Sequence, residues 1–99
     1  MNTMSAQDFQ LLQTNESVTI LDIRDKGAYN EGHYENAMSI PVTSLPNRLN
    51  ELSKDTTYYI ISHAGRRGQT MSQFLTQQGY QAIAVLGGMK ALKSNQKVS

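Results

Sequence analysis

The densest chemistry in this sequence is the run Ser62-His63-Ala64-Gly65-Arg66-Arg67 and the Gly68 that follows it. It holds a hydroxyl, an imidazole, two guanidinium groups and two glycines. Immediately before it stands Tyr58-Tyr59-Ile60-Ile61, a short β-favouring run. Immediately after it, Met71, Phe74 and Leu75 recur at helical spacing. A strand that turns through a tight loop straight into a helix leaves loop amides and the first helical N–H groups unpaired. They converge on one point, where the helix dipole also favours negative charge. The expected chemistry is therefore the binding, or the making, of an anion. Gly65 and Gly68 permit the positive φ values such a loop demands, and Arg66 and Arg67 add two cations. Ser62 stands at the focus, where an enzyme places its nucleophile, because a field that holds an anion also lowers a thiol's pKa.

Something must hold that loop, and at 99 residues the chain has room for one domain spanning 1–99. The formal net charge is +1, and Lys90, Lys93 and Lys97 read as a solvated helix face and tail, so nucleic acid is not an expected partner. The absence of cysteine excludes disulfides, thiolate metal sites and cysteine catalysis; no cofactor and no metal ion is expected. No apolar run approaches the ~20 residues of a membrane span. The start MNTMSAQDF lacks the charged and apolar regions of a signal peptide. The expectation is a soluble, cytoplasmic protein with no membrane partner.

Taken in order, Ser5 caps a first helix with Asp8 in its first turn and Ala6, Phe9 and Leu12 as its apolar stripe, ending near Thr14-Asn15. Val18 to Ile23 is apolar on both faces, the pattern of an interior strand of a parallel sheet. Asp22 and Arg24 interrupt it at its C-terminal end, beside the crevice where open α/β sheets bind ligands. Pairing that pins the neighbouring loops fits them better than proton transfer. A short helix is expected over Asp25 to His33, with Ala28 and Tyr29 inward and Gly32 ending it, then a short strand over Ala37 to Ile40. His33 reads as a structural hydrogen-bonding group rather than a base. Thr43 or Ser44 caps a helix with Pro46 in its first turn and Leu45, Leu49 and Leu52 on its buried side. The helix after the loop packs Met71 into the core and ends at Gly79 in the left-handed conformation. Ala82 to Leu86 forms the last strand, Gly87-Gly88-Met89 opens a terminal helix, and the polar tail 94–99 is expected to fray. Connections of this kind imply crossovers and a parallel sheet.

Several of these segments together resemble the rhodanese family. In that family's active-site loop a strand ends in Cys-Arg-x-Gly-x-Arg before a helix; Ser62, His63, Ala64, Gly65, Arg66 and Arg67 stand at the matching positions. The run LDIRDKGAYNEGHYENAMSIP resembles the family signature at Asp22, Arg24, Gly32, His33, Ala37 and Pro41, with Tyr34 in place of an aliphatic residue. Gly87-Gly88 resembles the Gly-Gly-x-x-x-Trp ending, with Leu92 where tryptophan is usual. The resemblance implies a small three-layer α/β fold, a mainly parallel central sheet with helices on both faces, and sulfur carried as a persulfide on the loop cysteine. Serine replaces that cysteine here, and a serine oxygen cannot hold a sulfane sulfur in a readily exchangeable bond. His63 and Gly68 also depart from the family's usual arginine and serine. The loop is one residue shorter than the Cys-x5-Arg loop of the related phosphatases, which disfavours phosphatase activity together with the missing thiol.

Two readings follow. In the first, the domain is a non-catalytic binding module. His63, Ala64, Gly65, Arg66, Arg67 and Gly68 then surround a small thiosulfate- or sulfate-like anion, a partner's persulfide or an acidic side chain, supported by Asp22 and Arg24. In the second, it is a sulfurtransferase in which Ser62 is a variant or engineered replacement of the nucleophilic cysteine. A serine nucleophile with His63 as its base is the least supported option, since adjacent loop residues diverge. The resemblance also implies that Arg67 turns toward the loop backbone and braces it, while Arg66 faces solvent or a ligand's rim.

Overall fold

Side chains along the strand before the loop alternate between two faces, and this alternation sets the layers. Tyr58 and Ile60 pack into one apolar cluster with Leu21, Ile23, Leu45, Leu75 and Ala82. Tyr59 and Ile61 pack into another with Phe9, Ile20, Val85, Met89 and Leu92. A strand fed by apolar residues at every position is one covered on both sides. The computed structural model, which describes residues 2–96, has that arrangement. Strands β1 (Thr3–Met4), β2 (Thr19–Asp22), β3 (Met38–Ser39), β4 (Thr57–Ile61) and β5 (Gln81–Val85) form one sheet in the order β1-β5-β4-β2-β3, parallel in every pairing. Helices α1 (Ala6–Asn15) and α4 (Gly88–Gln96) supply residues to one cluster; α3 (Arg66–Gln77) and the 45–52 segment supply them to the other. Helix α2 (Lys26–Glu31) follows β2. Each fully buried Leu, Ile or Phe contributes about 1.5–3 kcal/mol.

The helix ends follow local chemistry. Ser5 Oγ accepts the Asp8 amide at 3.0 Å, and Asp25 Oδ1 accepts that of Ala28 at 2.8 Å. Helix α3 closes with Gly79 at φ 93°. There the Tyr80 amide reaches the Leu75 carbonyl at 2.9 Å and the Gly79 amide that of Thr76 at 3.1 Å, a Schellman ending. Lys90 and Lys93 are exposed; Lys97 lies outside the described residues.

The structure departs from the sequence reading at two places. The helix anticipated from Leu45 to Leu52 is instead two 3-10 turns, Leu45–Asn47 and Leu49–Glu51. Arg48 between them leaves the helical region at φ −124°, ψ 23°, and the Ser44 side chain forms no cap. Leu45 and Leu52 are nevertheless buried, because a short segment needs only to aim its leucines at the sheet. Strand β1, two residues long, was not anticipated: Thr3 pairs with Ala84 and Met4 with Val85. Of the tail, residues 94–96 fall within α4; residues 97–99 lie outside the described residues.

Candidate functional site

β2 leads away to β3 on one side and β4 leads to β5 on the other, although β2 and β4 are neighbours. Diverging connections leave a crevice at the carboxyl ends of those two strands, the place where open α/β sheets bind ligands. A cavity of about 390 Å³ occupies it, walled by Arg24, Asp25 and Ala28 after β2 and by Ser62, His63, Ala64, Arg66 and Arg67 after β4. A larger cavity, about 470 Å³, lies around the 13–18 segment and Tyr34, Glu35 and Asn36, and none of the loop residues lines it.

Within the loop, Ser62 is 3% exposed and its Oγ accepts the Gly65 amide at 2.8 Å. Gly65 itself takes φ 94°, and a Cβ there would lie 2.5 Å from the Gly87 nitrogen; only glycine fits. The loop carbonyls are used elsewhere. Ser62 O accepts the Met89 amide at 2.8 Å and His63 O that of Lys90 at 3.0 Å. The amides of His63, Ala64, Arg66 and Arg67 donate to no partner among the described residues. They precede or open α3, where unpaired amides and the helix dipole together favour negative charge.

The two arginines behave alike. Both are exposed, both line the cleft, and neither forms a hydrogen bond or ion pair with the described residues, so Arg67 does not brace the loop. The inward position of this helical turn is Gly68, buried, where a Cβ would stand 3.3 Å from Ser62 Oγ and 3.6 Å from Ile60 Cγ2. Arg66 and Arg67, earlier in the turn, stand at the cleft with exposed side chains. His63 is exposed as well. Its imidazole makes no hydrogen bond to Ser62, whose Oγ is paired with the Gly65 amide.

Asp22 and Arg24 do pin the site. Arg24 Nη2 meets Asp22 Oδ2 at 2.8 Å and Nε lies 3.0 and 3.2 Å from the two carboxylate oxygens. The Arg24 amide donates to Asp22 Oδ1 at 3.0 Å, and Nη2 also donates to the Gly32 carbonyl at 2.8 Å. The pair thus ties the end of β2 to the end of α2. His33 closes the same helix: its Nδ1 donates to the Tyr29 carbonyl at 2.8 Å, which fixes the ring over the Tyr29 ring at 3.8 Å. It lies outside the cleft's lining.

Sequence reasoning did not find Asp25 and Ala28 as cleft wall, nor the α4 amides behind the loop. Asp25 carried a signal, since a helix cap placed directly after a strand must stand at the strand's carboxyl end. Among the described residues no group of three or more His, Cys, Asp or Glu side chains could hold a metal ion, and no helix is long and apolar enough to cross a membrane.

Comparison with known proteins matches residues 5–95 to the rhodanese-like domain. A putative sulfur carrier protein of Bacillus subtilis, YrkF, is 34% identical over 82 residues, which are 82% of this chain and 44% of that protein; the chain thus spans less than half of that relative. The thiosulfate sulfurtransferase GlpE of Shewanella oneidensis is 31% identical over 80% of each chain. The crystal structure of a rhodanese-like domain protein from Staphylococcus aureus superposes with a TM-score of 0.87 at 30% identity, covering 93% of this chain and 91% of that one.

Proposed function

The chain belongs to the rhodanese-like domain family, and we propose that it acts there as a binding module. Its cleft would take a small sulfate- or thiosulfate-like anion, or a partner's persulfide, without transferring sulfur. The observation that carries this reading is the Ser62 hydroxyl, buried at the head of the cradle and hydrogen-bonded to the Gly65 amide. A hydroxyl stays neutral where a thiolate would be charged, so the free loop amides and the exposed Arg66 and Arg67 meet no negative charge at position 62; the Asp25 carboxylate on the β2 side of the cleft is engaged in capping α2. These 99 residues contain no thiol to carry a sulfane sulfur.

The second reading, a sulfurtransferase with its nucleophile replaced, is favoured by a different observation. Glycine at position 68 presents no side chain to Ser62, where a Cβ would stand 3.3 Å from Oγ, so a cysteine sulfur at position 62 would meet no side chain from that residue. Sulfur transfer from thiosulfate to cyanide by the unmodified protein and by Ser62→Cys separates the two. In a competent site the thiolate introduced by Ser62→Cys attacks the outer sulfur of thiosulfate, releases sulfite and becomes a persulfide; cyanide then removes that sulfur as thiocyanate and restores the thiolate.

The binding-module reading expects no turnover from the unmodified protein, sulfate or thiosulfate binding at millimolar concentration, and little persulfide by intact mass in a folded Ser62→Cys variant. Efficient turnover by that variant moves the assignment to the disabled enzyme. Failure to bind either anion or any partner removes the binding module.

A further inference from the structure

We infer that the first turn of α4 belongs to the binding apparatus: it holds the Ser62 and His63 carbonyls and so turns the loop amides into the cleft, with Gly88 as the positioning residue. The consequence for affinity rests on the anion-binding reading; the geometry does not. In a trans peptide unit C=O and N–H point in opposite directions, and no peptide bond among the described residues is cis. The Ser62 and His63 carbonyls are held by the Met89 and Lys90 amides at 2.8 and 3.0 Å. The N–H groups of the same two peptide units, those of His63 and Ala64, therefore point away from α4. The cleft is lined by His63 and Ala64 and by no residue of α4, so that is the direction in which it lies.

Two helix N-termini thus serve one loop from different sides. That of α3 offers its amides to the ligand, and that of α4 offers its own to the loop's carbonyls. A hydrogen bond accepted by a carbonyl polarises the peptide and strengthens its N–H as a donor, so the α4 contacts orient the cradle and also sharpen it. Gly88 makes the approach possible. It sits at φ 58°, and a Cβ there would lie 2.3 Å from Ser62 O, 2.7 Å from Gly65 N and 2.8 Å from His63 O. Any side chain would push the loop off the helix.

Sodium sulfate titrated into ¹⁵N-labelled protein tests this, with Gly79→Ala as the control. Gly79 also has a positive φ, 93°, but a Cβ there meets only the Lys54 side chain, at the far end of α3. Gly88→Ala is expected to move the His63 and Ala64 amide resonances without sulfate and to weaken sulfate binding by about tenfold or more. Gly79→Ala, with a loss in Tm of its own, should bind within about twofold of the unmodified protein. Unchanged sulfate affinity in Gly88→Ala overturns the inference.

If Gly88→Ala does not fold, amide exchange in the unmodified protein decides. Saturating sulfate should slow exchange at Met89 and Lys90 relative to Ala91, whose amide bonds to Gly87 O within the same turn at 3.2 Å. Equal effects at all three sink the idea. Absence of sulfate binding by the unmodified protein would sink the anion-binding reading instead. The resonance shifts in Gly88→Ala and the protection of the Met89 and Lys90 amides, both read without sulfate, would still decide the geometry.

Discussion

Asp22 and Arg24 are 1% and 7% exposed and pair at the end of β2, where Arg24 lines the cleft, so each would be costly to leave without the other. Removing one partner of a buried pair strands a charge and costs about 3–5 kcal/mol, whereas replacing both by apolar groups is often close to neutral. Asp22→Ala and Arg24→Met should each lower stability by that amount, read from the urea midpoint at constant m-value. Asp22→Leu combined with Arg24→Met should cost less than either. Single losses below about 1 kcal/mol would mean the pair behaves as an exposed one. This pairing was legible in the sequence because two charges ending an apolar strand have few other places to go. The direction of Arg67 was not. Side chains three residues apart on a first helical turn share a face, but which face is inward depends on what already fills it. Gly68, packed on Ser62 and Ile60, could only be placed there with the sheet in view.

Capping chemistry made the helices readable, and the strength of each signal tracks what the structure kept. Ser5, Gly32 and Gly79 marked ends that α1, α2 and α3 do have. The 45–52 segment had a cap candidate, a proline and three spaced leucines, yet those leucines are equally well buried by 3-10 turns. Periodicity over so few residues does not separate the two. β1 left no pattern because two residues have no period; it exists because β5 offers an open edge, whose Ala84 amide and the following Leu86 amide donate to Asn2 O at 3.0 Å and Met4 O at 2.8 Å. The Schellman ending of α3 makes its own prediction. Gly79→Ala forces an L side chain into the left-handed region and should cost about 1–2 kcal/mol. The Lys54 chain nearby can move aside, so the loss should be that backbone term alone, and Gly79→Asn, which tolerates the region better, should recover part of it in urea unfolding.

The two apolar clusters lie on opposite faces of one sheet and share its interior strands, which bears on how the molecule unfolds. Phe9 belongs to one cluster and Leu75 to the other, both fully buried. If the layers were separable, losing one would leave the other standing. They are not, because β2, β4 and β5 each contribute alternate residues to both, and neither face can keep its strands paired without the opposite cover. The loop carries the same interlock into the site, with α3 rising from one face and α4, from the other, closing on the loop carbonyls. Phe9→Ala should cost about 3–5 kcal/mol and Leu75→Ala about 2–5 kcal/mol, large against the 5–15 kcal/mol typical of a whole domain. Each should shift the same single transition. Calorimetric and van't Hoff enthalpies should agree in the unmodified protein and in both variants. A variant that instead melts in two steps, with near-ultraviolet and far-ultraviolet signals lost at different temperatures, would show that the faces fold independently and that the cleft between them is held by one layer alone.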